Sequence, residues 1–249
     1  MIYGTENMRP LPGDRYPHGG LHGQIVHAIG RQIVSGAVRP GEVLSLPEGL
    51  PASRTVLREA IKVLAAKGLV ESRPKTGTRV RAPQSWNQLD PDVLAWRQEG
   101  RLSAPFLRNL SEVRRIIEPA AAELAATRAG ASGVAAIADA FADMERAVQG
   151  APVDGDVFVE ADMRFHRAIL EASGNDILEQ MSSVVFPVLV MSFRATSRPP
   201  GRARASVPKH RAILDAIREG DPKRAGRAMR RVVGDAAREI EALLRRRRP

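Results

Sequence analysis

SRTVLREAIKVLAAKGLVESRPKTGTRV, residues 53–80, is the stretch whose reading decides the fold. Ser53 is a good N-cap, because its hydroxyl can accept from a free backbone N–H of the first turn. Val56, Leu57, Ala60, Ile61 and Leu64 then recur at three- and four-residue spacing, which predicts a helix with one apolar stripe for a core. Arg54, Thr55 and Arg58 lie off that stripe, and Gly68 supplies a C-terminal stop. Two short strands are expected next, 69–72 and 78–81. They are joined by Arg73-Pro74-Lys75-Thr76-Gly77, a basic turn punctuated by Pro and Gly. An arginine-bearing helix start beside a basic hairpin suits a DNA major groove and its flanking phosphates. The plainer alternative is a solvated surface helix, and it is the order helix, Gly stop, strand, basic turn, strand that argues against it.

The rest of the chain agrees with that reading. Its 249 residues suffice for two domains, and 43% apolar residues mark it as globular. Ala, Leu, Arg and Glu abound while aromatics make up only 4%, so the sequence leans helical. The chain has no cysteine, which excludes disulfides and thiolate metal sites and fits a reducing cytoplasm. No apolar run approaches the roughly 20 residues that span a bilayer, so no membrane partner is expected. Residues 1–83 hold 12 basic and 6 acidic side chains, a balance as lopsided as a nucleic-acid surface requires. The terminal run Arg245–Arg248 reads as a solvated tail.

The expected organisation is a disordered lead-in at 1–19, a small DNA-binding domain at 20–83, a polar linker at 84–104 and a helical domain at 105–249. A first helix is placed at 20–35, with Ile25, Ile29 and Ile33 on one face. Later helices are placed at 105–129, 132–149, 154–172, 176–196, 205–220 and 222–247, with Gly and Pro clusters marking the breaks. The fold class is therefore mostly α: a winged helix-turn-helix with a small β-wing, then an antiparallel all-α bundle. Both tryptophans fall in the segment 86–96, which is expected to pack against the helical domain.

Asp162 and His166 stand at i and i+4 and project from one face of a helix. A carboxylate and an imidazole so placed can chelate a divalent metal such as zinc, given a further ligand from another helix. The plainer reading is a hydrogen-bonded surface pair.

The chain resembles the GntR family of bacterial transcription regulators. The matching residues are Arg39-Pro40-Gly41-Glu42 with Leu44, Ser53-Arg54-Thr55, Arg58-Glu59-Ala60, Gly68-Leu69-Val70, and Gly77-Thr78 with Val80. By that resemblance Arg54, Thr55 and Arg58 read bases or phosphates, and Arg73, Lys75, Thr76 and Gly77 belong to the wing. In the family a full helix precedes the Ser-Arg-Thr start. Here only Gly49-Leu50-Pro51-Ala52 follows Pro47-Glu48, so contacts carried by that helix do not transfer.

The second half resembles the helical FCD ligand-sensing domain of the FadR-like branch. That likeness is carried by 111–119, Asp162-Met163-Arg164-Phe165-His166, 172–175 and 210–217. It implies a metal site at Asp162, His166 and His210, with Val232 where such domains often have a last histidine. It also implies that Arg114 pairs with an effector carboxylate, the alternative being a salt bridge to Glu118 one turn on. Asn175 either bonds the effector or caps a helix. The segment 86–96 is similar to that of members responding to sugar acids such as galactonate. The reading is a homodimeric regulator, a repressor, that binds double-stranded operator DNA and senses a small carboxylate. The alternatives are a metal-dependent hydrolase, or an effector-binding dimer with impaired DNA binding.

Overall fold

The structure is a computed structural model that describes residues 16–44, 53–99, 103–149, 153, 155–181 and 200–246. It divides into two compact units, Met1–Arg101 and Leu102–Pro249. Among the described residues no helix is long and apolar enough to cross a membrane.

In the first unit, α1 (Gly20–Val34) lays Ile25, Val26, Ile29 and Ile33 into the core. Helix α2 (Arg54–Ala66) begins where expected, with the Ser53 hydroxyl accepting from the Val56 N–H at 3.3 Å. Ala60 and Leu64 are its fully buried pair, and Val56, Leu57 and Ile61 flank them against the same core. Gly68 ends the helix at φ +77°, a left-handed conformation that costs glycine nothing. A side chain there would also meet the Ser85 carbonyl oxygen.

Strands β1 (Val70–Arg73) and β2 (Gly77–Val80) pair antiparallel in the register Val70↔Val80 to Arg73↔Gly77, each one residue off the expected bounds. Val43 bridges Arg79, and the Leu44 N–H donates to Thr78 O, so the segment after Pro40-Gly41 lines the outer edge of the wing. The shortened run before Ser53 falls in 45–52, outside the described residues.

Two expectations change here. Helix α3 (Pro91–Glu99) occupies the segment expected as a linker, and Trp86 and Trp96 bury themselves in the core of the first unit rather than the second. Glycine at position 30 makes this possible, because a Cβ there would lie 2.5 Å from the Trp96 ring. The end of the expected lead-in is tied into the fold. The Tyr16 N–H donates to Asp92 Oδ2 at 3.0 Å and its hydroxyl shares a hydrogen bond with His22 Nδ1, while 1–15 lie outside the described residues.

The second unit is a helical bundle of α4 (Ala104–Arg128), α5 (Ala131–Gln149), α6 (Gly155–Ala172), α7 (176–181 of it described), α8 (Pro200–Arg218) and α9 (Pro222–Arg246). Helix α4 runs along α9, α5 along α6, and α8 packs on α9, α5 and α4. Helix α8 begins five residues before its expected start, while the expected helix 176–196 lies mostly outside the described residues.

Candidate metal and effector site

The buried end of the helical bundle gathers charged side chains from α4, α6 and α8. Asp162 and His166 project from α6, which otherwise buries Phe158, Phe165 and Ile169. His210 reaches them from α8. One ligand atom from each of the three lies within 4.8 Å of the other two. His210 Nε2 stands 3.1 Å from Asp162 Oδ1 and 3.2 Å from His166 Nε2.

The ring protons can be assigned from the partners on the far side of each imidazole. His210 Nδ1 is 3.0 Å from the Ser206 carbonyl oxygen, which can only accept, so Nδ1 carries the proton. His166 Nδ1 is 2.7 Å from Glu118 Oε2. Burial by itself would raise the Glu118 carboxyl, but the Arg114 guanidinium and the His166 imidazole outweigh it and hold the pKa at about 2. Glu118 is therefore an ionised acceptor, and His166 Nδ1 is protonated as well. His210 Nε2, His166 Nε2 and the Asp162 carboxylate converge on one point between α6 and α8. Two histidines with one carboxylate, their ligand atoms this close together, are a donor set that divalent ions take. The residues present fit a metal. Glu118 stands behind His166 where an outer carboxylate would orient a ligating imidazole.

Arg114 is buried and its Nε and Nη2 both reach the Glu118 carboxylate, the second at 3.3 Å. It also borders a cavity of about 170 Å³ whose floor is Asp162, His166 and His210. Arg114 thus makes the salt bridge to Glu118 that was one of its two expected roles, and it lines the cavity as well. Val232 lines the same cavity with methyl groups and offers no donor atom. Asn175 does not line it: its Oδ1 accepts from the Ile177 and Leu178 N–H groups at 3.1 and 3.2 Å, which makes it the N-cap of α7. The part Glu118 plays toward His166 was missed, since no spacing relates a residue on α4 to one on α6.

In the first unit Arg54, Thr55 and Arg58 are all exposed along the first turns of α2. Arg73, Lys75, Thr76 and Gly77 are exposed at the tip of the wing, where Lys75 and Gly77 take positive φ to close the turn. Arg73 pairs with Glu71 at 2.6 Å.

A winged reading head and a helical unit built around a cavity define a class, the ligand-responsive DNA-binding regulators. The comparisons with known proteins specify it. The family model "Bacterial regulatory proteins, gntR family" matches residues 21–80, and the model "FCD domain" matches residues 109–235. The chain is 33% identical to the "Galactonate operon transcriptional repressor" of Escherichia coli (strain K12), over 88% of this chain and 96% of that one. It is 31% identical to the "Uncharacterized HTH-type transcriptional regulator YieP" of the same organism, over 89% of this chain and 91% of that one. A solved structure described as "Lar controls the expression of the Listeria monocytogenes agr system and mediates virulence" shares the fold, with a TM-score of 0.62 at 18% identity over 92% of this chain and 100% of that one. The protein belongs to the gntR family of bacterial regulatory proteins with an FCD domain; it is a DNA-binding transcription regulator and not an enzyme.

Proposed function

We propose that this regulator is a cytoplasmic homodimeric repressor. Asp162, His166 and His210 hold a divalent cation, zinc by the chemistry of the donor set, and a small carboxylate binds between that cation and Arg114. The observation that carries the reading is the convergence of three potential ligand atoms on the floor of a cavity that a guanidinium also borders. The cation fixes the anionic head of the effector, and Arg114 offers a planar fork suited to two oxygens. The similarity to a galactonate operon repressor supports a sugar acid as the effector. Arg54, Thr55 and Arg58 address the operator, and Arg73, Lys75, Thr76 and Gly77 place the wing beside it. A homodimer presents two such heads to a palindrome.

The test joins metal analysis to DNA binding. Purified protein is expected to carry about one zinc per chain and to bind its own upstream DNA in a salt-dependent, sequence-selective manner. A sugar acid should release that DNA from the wild type and fail to do so from Asp162→Ala. Metal-free protein that still responds to the acid would sink the reading.

A further inference from the structure

The cavity changes character from floor to rim, and the rim lies outside the machinery described so far. At the floor Asp162 and His210 expose 5% and 1% of their side chains. Above them Ala205, Val232 and Ala236 form a narrow wall of small apolar groups. Among the described residues the rim sets two cations on α8 against two carboxylates on α9. Lys209 Nζ sits 2.5 Å from Asp235 Oδ2, with side chains 46% and 30% exposed, and Arg202 Nη1 is 3.7 Å from Glu239 Oε2, with 42% and 29% exposed.

These groups sort ligands by the chain attached to the carboxylate. Among the described residues, Lys209 and Arg202 stand opposite Asp235 and Glu239, with Arg238 also on Asp235, so a second charge of either sign on the ligand would meet a like charge beside any opposite one. An apolar tail would strip water from four charged groups and give nothing back. A hydroxyl both donates and accepts, and can therefore serve carboxylate and cation alike. Glu239 stands beyond hydrogen-bond reach of Arg202, so its oxygens can accept without breaking a short pair. The size agrees. A cavity of about 150 Å³ holds a benzene-sized body, so the 170 Å³ cavity takes the head and first carbons of an acid, and a longer chain delivers its later carbons to the open rim.

We infer that Asp235 and Glu239, on the last helix, are the specificity-determining residues that select a polyhydroxylated monocarboxylate over an unhydroxylated one. The inference rests on the carboxylate reading of the floor and adds to it which residues read the tail.

The full-length, zinc-loaded protein is titrated calorimetrically with hexanoate and with a panel of straight-chain four- to six-carbon aldonates. At least one aldonate is expected to bind tightly, with hexanoate weaker by about a hundredfold, as two charge-assisted hydrogen bonds would produce. Glu239→Met and Asp235→Leu, substitutions that keep bulk and remove the acceptors, should each cut the aldonate-over-hexanoate ratio by about tenfold or more. Thermal melts of both variants confirm that they are folded. Equal affinity for the two acids, or a ratio that survives both substitutions, overturns this assignment alone. Absence of binding by every acid overturns the carboxylate reading of the floor and this assignment with it.

Discussion

Glu118 meets two demands at once, neutralising the buried Arg114 guanidinium and accepting the His166 Nδ1 proton. Its two duties lie on different helices, so Glu118→Gln is expected to fail in two assays. Breaking a buried pair by removing one partner strands the other charge, at a cost of about 3 kcal/mol in denaturant unfolding. Loss of the outer carboxylate should weaken zinc binding by about 10- to 100-fold in competition with a chelating dye; unchanged zinc affinity would remove Glu118 from the metal site. Val232 makes the opposite case. It lines the cavity without a donor, so Val232→His should tighten zinc by at least about tenfold in the same competition, since a fourth protein ligand completes a tetrahedral set. Of this site, Asp162 and His166 were legible in the sequence because helical spacing puts them on one face. Glu118 and the α8–α9 rim were not, because their contacts cross between helices and no local pattern encodes them.

Helix α3 is tied to α1 by a relay whose direction is fixed by chemistry. The Trp96 Nε1–H can only donate, and it does so to His27 Nδ1 at 3.1 Å, so His27 carries its proton on Nε2 and donates it to the Tyr16 carbonyl at 2.9 Å. Trp96 packs so closely over Gly30 that Gly30→Ala should destabilise the first unit by about 1–3 kcal/mol through overpacking, read from its thermal transition. A second tie joins the end of α2 to the start of α3, where Lys67 Nζ lies 2.8 Å from Asp92 Oδ2 and 2.9 Å from Asp90 Oδ2. Burial pushes the Asp92 carboxyl up, but the Lys67 ammonium and the Tyr16 N–H outweigh it and hold its pKa below the ordinary value. The stabilisation is therefore present above the unfolded carboxylate pKa of about 3.9 and is lost as pH falls through the lower folded value. Urea unfolding between neutral pH and pH 3 should show a shallower acid limb for Asp92→Asn than for the wild type, and parallel limbs would refute the assignment. The winged half was legible because Ser53, Gly68 and the Arg73–Gly77 turn are local signals. The tryptophans were assigned to the wrong unit because aromatic residues announce burial without naming the surface they bury against, and the gap at Gly30 that admits Trp96 lies 66 positions upstream.

At the scale of the whole molecule, regulation is a coupling free energy between the reading head and the cavity, and such coupling is reciprocal. If a sugar acid lowers operator affinity by some factor, a saturating operator duplex must lower the affinity for that acid by the same factor. Couplings of about 1–3 kcal/mol are usual, which predicts a change of roughly 5- to 150-fold in either direction. The measurement is calorimetric titration of the tightest-binding aldonate into zinc-loaded protein, with and without the duplex, beside operator titrations with and without the acid. A common factor well above one shows that the cavity and the reading head communicate, and a factor of one in both directions would mean that they do not. Arg58→Ala separates the two ends of the linkage. Arg58 sits exposed on α2, and losing a phosphate-contacting cation should reduce the salt slope of operator binding by about one. The same substitution should leave the acid affinity of the DNA-free protein at its wild-type value, since Arg58 belongs to the first unit and the cavity to the second. A salt slope that does not change would take Arg58 off the DNA. An acid affinity that shifts without DNA present would mean that Arg58 acts on the cavity without DNA, and the substitution would no longer separate the two ends.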